Sequence, residues 1–329
     1  MDDKITVVIC LYNAENYIVE TLESLENQTL KDFDLLIIDD CSPDNSVNKV
    51  KEFFKTSPFQ STEIIHFEEN RGTAYARNFA LHHVKTPFML FFDADDIAKP
   101  DLIEKLYSKI NENDDNIAVS CYSKYIDTNS KKIAGGHYIG PTSEDEFRYK
   151  AENGKLILIP NVTLFRTEFA IQVGGYRLKG FVSGKPRYQD LSEDLDLWSR
   201  MSDFYTSGKV MLTIPEVLFY YRKNTSSLSA SKDSLIAMQN KIRYIKLNLK
   251  RRRVGKNDLS FIDYMDSLTR SQKVKNYFKD TSAFYYRKAG FSYVEKSYLS
   301  FAYFMMISVL LNPSYIVDKI KSNFIRTNK

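Results

Sequence analysis

The run Asp93-Ala94-Asp95-Asp96 sets two carboxylates two residues apart, and in extended chain such residues point to the same side. The alanine between them leaves room for one shared ligand. Magnesium and manganese prefer hard oxygen ligands, few of them from protein, with water and phosphate supplying the rest. Asp93 and Asp95 are therefore candidate metal ligands, and a bound diphosphate would complete the shell. A metal held this way offsets the charge that builds on a departing diphosphate. Asp96 reads as a cap for the next turn, with Lys99-Pro100-Asp101 opening a helix.

A second group is Ser192-Glu193-Asp194-Leu195-Asp196-Leu197-Trp198. Ser192 fits an N-cap, with Leu197 and Met201 on the buried face. Asp194 then lies in the first helical turn, where the helix N-terminus favours ionised carboxylate. Such a group can take the proton of an attacking hydroxyl. The same acids also fit an ordinary helix start, since first-turn acids are common. A third group is Tyr220-Tyr221-Arg222-Lys223-Asn224-Thr225-Ser226-Ser227, where Arg222 and Ser226 offer a cation and a hydroxyl to phosphate oxygens. A basic turn alone is ordinary.

These groups need a scaffold. Ile5–Leu11, Leu35–Ile38, Glu63–Phe67 and Phe88–Phe92 are short apolar runs that suit strands buried on both faces of a parallel sheet. Helical patterns cover Tyr17–Leu25, Val47–Phe54, Ala74–Val84 and Leu102–Ile110. This alternation implies an α/β fold. Ligands of open α/β sheets bind beyond the carboxyl ends of the strands, and Asp39-Asp40 and Asp93–Asp96 both fall there. Further along, Asn116–Tyr125 and Leu156–Pro160 read as strands, and Lys179–Asp190 as a mobile loop. Beyond Ser234 the pattern is helical. Leu235, Met238, Ile242, Ile245 and Leu249 form one stripe with Lys241, Arg243, Lys246 and Lys250 off it. Two more helices are expected over Thr281–Gly290 and Tyr293–Leu311, with Pro313 ending the second. The division implied is a catalytic domain over residues 1–230 and a basic helical region over 231–329.

The charge divides the same way. Residues 231–329 hold 20 Lys and Arg against 7 Asp and Glu, whereas residues 1–230 hold 26 against 35. The basic region fits an anionic membrane surface, or helices that pack on one another and on the catalytic domain or form a homo-oligomer. No nucleic-acid-binding motif accompanies it. Cys10, Cys41 and Cys121 are too few and too scattered for a disulfide framework and fit a reducing compartment. The start of the chain does not read as a secretory signal, and Tyr298–Leu311 is shorter than a membrane span. The expectation is a cytoplasmic protein, with room for peripheral attachment to the inner face of the cell membrane.

Taken in order, the motifs resemble family 2 glycosyltransferases of the GT-A fold, a Rossmann-like mixed sheet flanked by helices. Val7–Glu15 is similar to the family's first strand and loop. Gln28-Thr29 with Ile37–Asp44 is similar to its second strand and loop. Asn70–Asn78 resembles the segment before the metal motif, and Phe92–Asp96 the DxD element. Gly174-Gly175-Tyr176 and Glu193-Asp194 resemble acceptor-side signatures, and Tyr221-Arg222 with Ser226-Ser227 the closing phosphate-side segment.

The resemblance implies roles. Asp40 and the backbone of Cys10–Tyr12 would contact the nucleotide base, commonly uracil. Arg77 would lie close to the nucleotide. Asp93 would reach the ribose or donor sugar, and Asp95 the Mn2+ or Mg2+ ion. Asp194 would deprotonate an acceptor hydroxyl in a single inverting displacement. Trp198 would line the acceptor pocket or fill the core. The donor implied is a nucleotide sugar, most often UDP-linked. The acceptor implied is a glycan or lipid-linked oligosaccharide of a bacterial surface polysaccharide. Cys10 stands where the family usually has Pro, and a His common near Asn224 is missing. The alternatives are a nucleotidyltransferase, although Leu11–Glu15 lacks the glycines of a phosphate loop, and a non-catalytic nucleotide-sugar-binding module. A dinucleotide-binding oxidoreductase would need G-x-G-x-x-G at that place.

Overall fold

The apolar runs form strands because alternate residues serve two separate cores. In β1 (Ile5–Leu11), Ile5, Val7, Ile9 and Leu11 enter one core and Val8 enters the other. In β2 (Phe33–Asp39), Leu35 and Ile37 go one way and Leu36 and Ile38 the other. Burial on both faces is what a sheet sandwiched between helices demands. The computed structural model describes residues 4–57, 59, 61–184, 187–223, 231–294, 296–317 and 319.

The helices α1 (Ile18–Glu26), α2 (Ser46–Phe54) and α4 (Leu102–Asn111) cover the first core through Leu22, Val50 and Leu106. The second is covered by α3 (Thr73–His83), α5 (Glu144–Glu152), α6 (Thr167–Gln172) and α7 (Glu193–Met201), through Ala80, Phe147, Ala170 and Leu197. The remaining strands are β3 (Thr62–His66), β4 (Phe88–Phe91), β5 (Ile97–Ala98), β6 (Asn116–Ile126), β7 (Lys132–His137), β8 (Thr163–Arg166) and β9 (Val210–Arg222).

The strand order is β3-β2-β1-β4-β8-β6-β9-β5, with β7 paired to β6. The run from β3 to β4 is parallel, and β8 lies antiparallel to both β4 and β6. The mixed α/β sheet expected from the sequence is therefore present. From β1 the chain moves outward through β2 to β3, then returns to place β4 on the other flank of β1. That reversal opens a crevice at the carboxyl ends of β1, β2 and β4, where such sheets bind ligands.

Two compact units divide the chain. The first comprises Met1–Lys179, Ser192–Thr225 and Ile245–Asp258, and holds the whole sheet. The second comprises Gly180–Leu191, Ser226–Tyr244 and Leu259–Lys329. Neither follows a simple division at residue 230. Helix α8 (Lys232–Arg253) runs through residues of both. The second unit also holds α9 (Phe261–Ser267), α10 (Arg270–Val294) and α11 (Tyr298–Leu311).

Several local expectations are corrected. Leu156–Pro160 is not a strand; the sheet position between β4 and β6 is taken by Thr163–Arg166. The helix expected over Thr281–Gly290 runs from Arg270 to Val294, and the next begins only at Tyr298. Lys296 takes a left-handed φ of 59°, which an α-helix cannot continue through. α11 ends at Leu311 as expected, with Asn312 extended ahead of Pro313, and Pro313 also opens a further helical stretch, a place where its missing N–H leaves no bond unmade. Part of the loop expected over Lys179–Asp190 is packed: the Phe181 and Tyr188 rings both lie tilted against Phe261 within the second unit, at 5.8 and 4.5 Å. Lys185 and Pro186 lie outside the described residues.

The basic helix α8 is not a uniformly solvated cationic face. Lys241 is buried; its ammonium donates to the Gln189 carbonyl at 3.0 Å and lies 4.8 Å from the Phe181 ring. Arg243 pairs with Asp280, and Arg252 and Arg253 both pair with Asp203. These cations hold their own units together. Among the described residues no helix is long and apolar enough to cross a membrane.

Candidate active site

At the end of β2, the Asp40 carboxylate accepts backbone N–H bonds from Arg71 at 2.7 Å and Gly72 at 2.8 Å. Its own N–H donates to the Leu11 carbonyl at 2.9 Å. Gly72 has φ 91°, a conformation that favours glycine, and α3 starts directly after it. Asp40 therefore fixes the turn that aims α3 at the crevice. Tyr12 is exposed just after β1, and Cys10 within the strand is half-buried. Burial pushes the Cys10 thiol up to about 12, against the lowering influence of Arg77 and with the charges of Asp93, Asp40 and Glu193 adding to the rise. It stays protonated and inert as a nucleophile.

One turn into α3 stands Arg77, which organises the site. Its guanidinium is buried and donates to three carboxylates: Asp93 at 3.0 Å, Glu193 at 3.0 Å and Asp194. It also lies 5.4 Å from the Phe91 ring. Burial alone would lower its proton affinity, but Asp194, Glu193 and Asp93 more than offset this and raise it well above the ordinary value. A fixed five-donor fork is the side chain suited to such bridging. Arg77 thus joins the loop after β4 to the start of α7, with Asp194 117 positions beyond Arg77 in the sequence.

The acids of α7 have different environments. Asp196 is buried and accepts two bonds from Arg200, whose other donors hold the carbonyls of Val173 and Gly175 at 2.6 and 2.7 Å. It braces the Gly174-Gly175 turn. Glu193 and Asp194 instead face Arg77. Ser192 occupies the N-cap position as expected, but its left-handed φ of 52° leaves no side-chain cap bond. Leu197 and Met201 are buried as expected. Trp198 is buried too, edge-on to Phe165 at 5.5 Å, so it fills the core.

Asp95 lies beside Asp93, and burial together with that neighbouring charge pushes its pKa up to about 6, against the lowering influence of Arg222. Asp96 is fully buried. One oxygen accepts the Arg222 N–H at 2.9 Å; the other has no hydrogen-bond partner among the described residues. Asp96 therefore pins β9 rather than capping a turn. Arg222 also departs from the expected phosphate contact. Its side chain is 0% exposed and donates to the Asp95 and Asp127 carbonyls, Ser130 and Glu20, at 2.7 to 3.0 Å, beneath the Tyr17 ring. That leaves it a loop-holding role. Ser226, Ser227 and Asn224 lie outside the described residues.

Of two further contributors, Asn161 has no signal in the sequence, and Tyr176 is marked there only by its resemblance to an acceptor-side signature. Asn161 Nδ2 donates to Asp93 at 2.8 Å and orients the carboxylate oxygen that Arg77 does not hold. The Tyr176 hydroxyl is buried without a hydrogen-bond partner among the described residues; burial first, then the charge of Asp194, raises its pKa well above the ordinary value. Both positions depend on loops meeting across the sheet.

The sequence profile of glycosyl transferase family 2 matches residues 6–174, more than half of the chain. The chain belongs to glycosyl transferase family 2. Glycosyltransferase GlyA of Streptococcus pneumoniae is 31% identical over 242 residues, 71% of this chain and 32% of that protein. The teichoic acid poly(glycerol phosphate) polymerase of Staphylococcus epidermidis is 40% identical over 116 residues, 35% of this chain and 16% of that protein. The chain thus spans a third or less of these two relatives. Two solved structures share the fold at 16% identity: S. aureus TarS 1-349 in complex with UDP-GlcNAc, and the mannosyltransferase PcManGT from Pyrobaculum calidifontis in complex with GDP-Man and Mn2+. Their TM-scores are 0.54 and 0.55; the first covers 92% of this chain and 90% of the other, the second 94% and 86%.

The glycine turn of this family-2 domain offers a stability test. Gly175 has φ +63°, and a Cβ there would fall 2.4 Å from Asn78 Oδ1, the acceptor of the Tyr176 N–H. Gly175→Ala should lower unfolding free energy by about 1–3 kcal/mol, read from urea denaturation midpoints. Gly174→Ala, where nothing lies within 4 Å, should cost less.

Proposed function

We propose that this chain is an inverting glycosyltransferase that moves a sugar from a UDP-linked donor to a hydroxyl of a glycan or lipid-linked acceptor in surface polysaccharide synthesis. The observation that carries the reading is the Arg77 bridge. It holds Asp93, beside the strand-end crevice, and Asp194, at the start of α7, on one guanidinium. A donor-side carboxylate and a candidate base then occupy one site. TarS with UDP-GlcNAc and the surface-polymer enzyme among the relatives support the donor and acceptor classes.

The residues divide the work. Asp93, fixed by Arg77 and Asn161, orients the ribose or sugar of the donor. Asp194 takes the proton of the acceptor hydroxyl as its oxygen bonds to the anomeric carbon and the bond from that carbon to the diphosphate breaks. Attack opposite the leaving group inverts the anomeric centre. Arg77 keeps the carboxylates in register and stabilises their charge. The loop around Cys10 and Tyr12 and the Asp40 turn border the place for the base.

Asp93 and Asp95 fit a divalent cation. The pKa of Asp95 is driven up by burial and by the charge of Asp93, so a cation there relieves a repulsion already present. One or two carboxylates are also what Mg2+ or Mn2+ takes from protein when phosphates supply the rest. When bound, the ion would neutralise charge on the leaving diphosphate.

Asp95→Ala should weaken Mn2+-dependent binding of a UDP-sugar by more than the roughly 10- to 100-fold that loss of an outer partner costs a metal site. Titration calorimetry with and without manganese measures this. Unchanged affinity in the variant would remove Asp95 from the metal site.

A further inference from the structure

Within the second unit, α10 and α11 form an antiparallel hairpin. Ser282 pairs with Ser308 through two hydroxyl-to-carbonyl bonds of 2.8 and 2.7 Å, Tyr285 stacks on Phe304 at 6.0 Å, and Tyr293 meets Phe301 at 5.5 Å. The inner face of α11 is thus 301, 304 and 308. Its outer face is Leu299, Tyr303, Met306 and Leu310, spaced by four, three and four residues as one stripe. All four are exposed, Leu299 by 89% and Leu310 by 75%. Helix α11 has no charged residue, so its outside is as apolar as its inside. A helix apolar all round belongs in a core or against lipid, and here one side has no cover among the described residues.

The surroundings select the occupant. Residues 270–319 carry eight Lys and Arg against three Asp and Glu, and Asp280 is buried against Arg243. Lys296 stands at the turn into α11, and Lys288 lies 5.4 Å from the Phe304 ring at the helix flank. A second copy on the stripe would bring two such cationic rims together, which is unfavourable. An anionic surface would complement them. Tyr298 and Tyr303 add rings with a polar tip, the side chains that sit at a lipid–water boundary. Fourteen residues reach about 21 Å, too short to span a bilayer and long enough to lie along its surface.

We propose that the outer stripe of α11 docks on the surface of an anionic phospholipid bilayer, with Leu299, Met306 and Leu310 entering the interface and the flanking lysines facing lipid phosphates. The inference goes beyond the transferase reading and does not depend on it, because binding is measured without donor. The purified chain is floated with phosphatidylcholine vesicles containing or lacking phosphatidylglycerol, and its association state is read by light scattering. The expected result is flotation only with phosphatidylglycerol, weakened by salt. Lys288→Ala and Lys296→Ala should each reduce partitioning about fivefold. Leu299→Asp with Leu310→Asp should reduce it at least about tenfold with circular dichroism and thermal unfolding unchanged, since both sites are solvent-exposed. No flotation with either vesicle, or equal flotation with both, overturns the proposal. So does a dimer that Leu310→Asp dissociates, which would assign the stripe to a second copy.

Discussion

Asp194→Asn is expected to lower kcat by about 10²–10⁴-fold while donor affinity stays within about twofold. The amide keeps the shape of the carboxylate and an oxygen that can still accept from Arg77, but it cannot take the acceptor proton. The loss should therefore appear in the chemical step. Single-turnover transfer and donor titration on the same preparation separate the two. An equal loss of donor binding would mean that Asp194 supports the donor pocket instead. Asp196→Asn serves as the contrast. That carboxylate holds Arg200 against the glycine turn, so its loss should lower stability before it lowers kcat at saturating donor.

The second large effect is at Arg77. Replacing it with Met leaves Asp93, Glu193 and Asp194 close together without their shared cation. Removing one partner from a buried charge cluster costs about 3–5 kcal/mol. Arg77→Met should lose about that much in urea unfolding and lose transfer as well. Arg77→Lys keeps the charge but not the fork and should fall between. In an Asp194→Asn background the Arg77→Met cost should shrink, because less uncompensated charge remains. Strict additivity of the two variants would argue against a shared bridge.

These predictions concern contacts that local pattern could not supply. β1, β2 and β4 were legible because each of these apolar runs answers to a core on either face, whereas β3 lies at the sheet edge with Thr62–His66 partly exposed rather than buried on both faces as expected; the acids at the strand ends were legible from the placement rule for open sheets. The Arg77 bridge was not, since it joins α3 to α7 across more than a hundred residues and only the assembled sheet brings them together. Arg222 shows the converse. Beside hydroxyls in the sequence it reads as a phosphate ligand, yet β9 carries it inward to loop carbonyls. Asn161 is one polar residue between Pro160 and Val162, with nothing local to mark it as the partner of Asp93. The break before α11 was missed although Glu295-Lys296-Ser297 interrupts the apolar run, because a polar stretch this short fits the solvent face of a continuous helix as well as a turn.

The central claim is transfer from a nucleotide sugar at the cluster of Asp93, Arg77 and Asp194. Its most direct test is nucleotide release from a panel of UDP-sugars with manganese present, in the presence of glycan and lipid-linked acceptors, by the wild-type chain and the Asp194→Asn variant. The account predicts that at least one donor is turned over by the wild type, that chelation of manganese stops it, and that the variant binds the same donor without turning it over. Donors that bind yet are never turned over by the wild type, or are turned over equally by the variant, would contradict it.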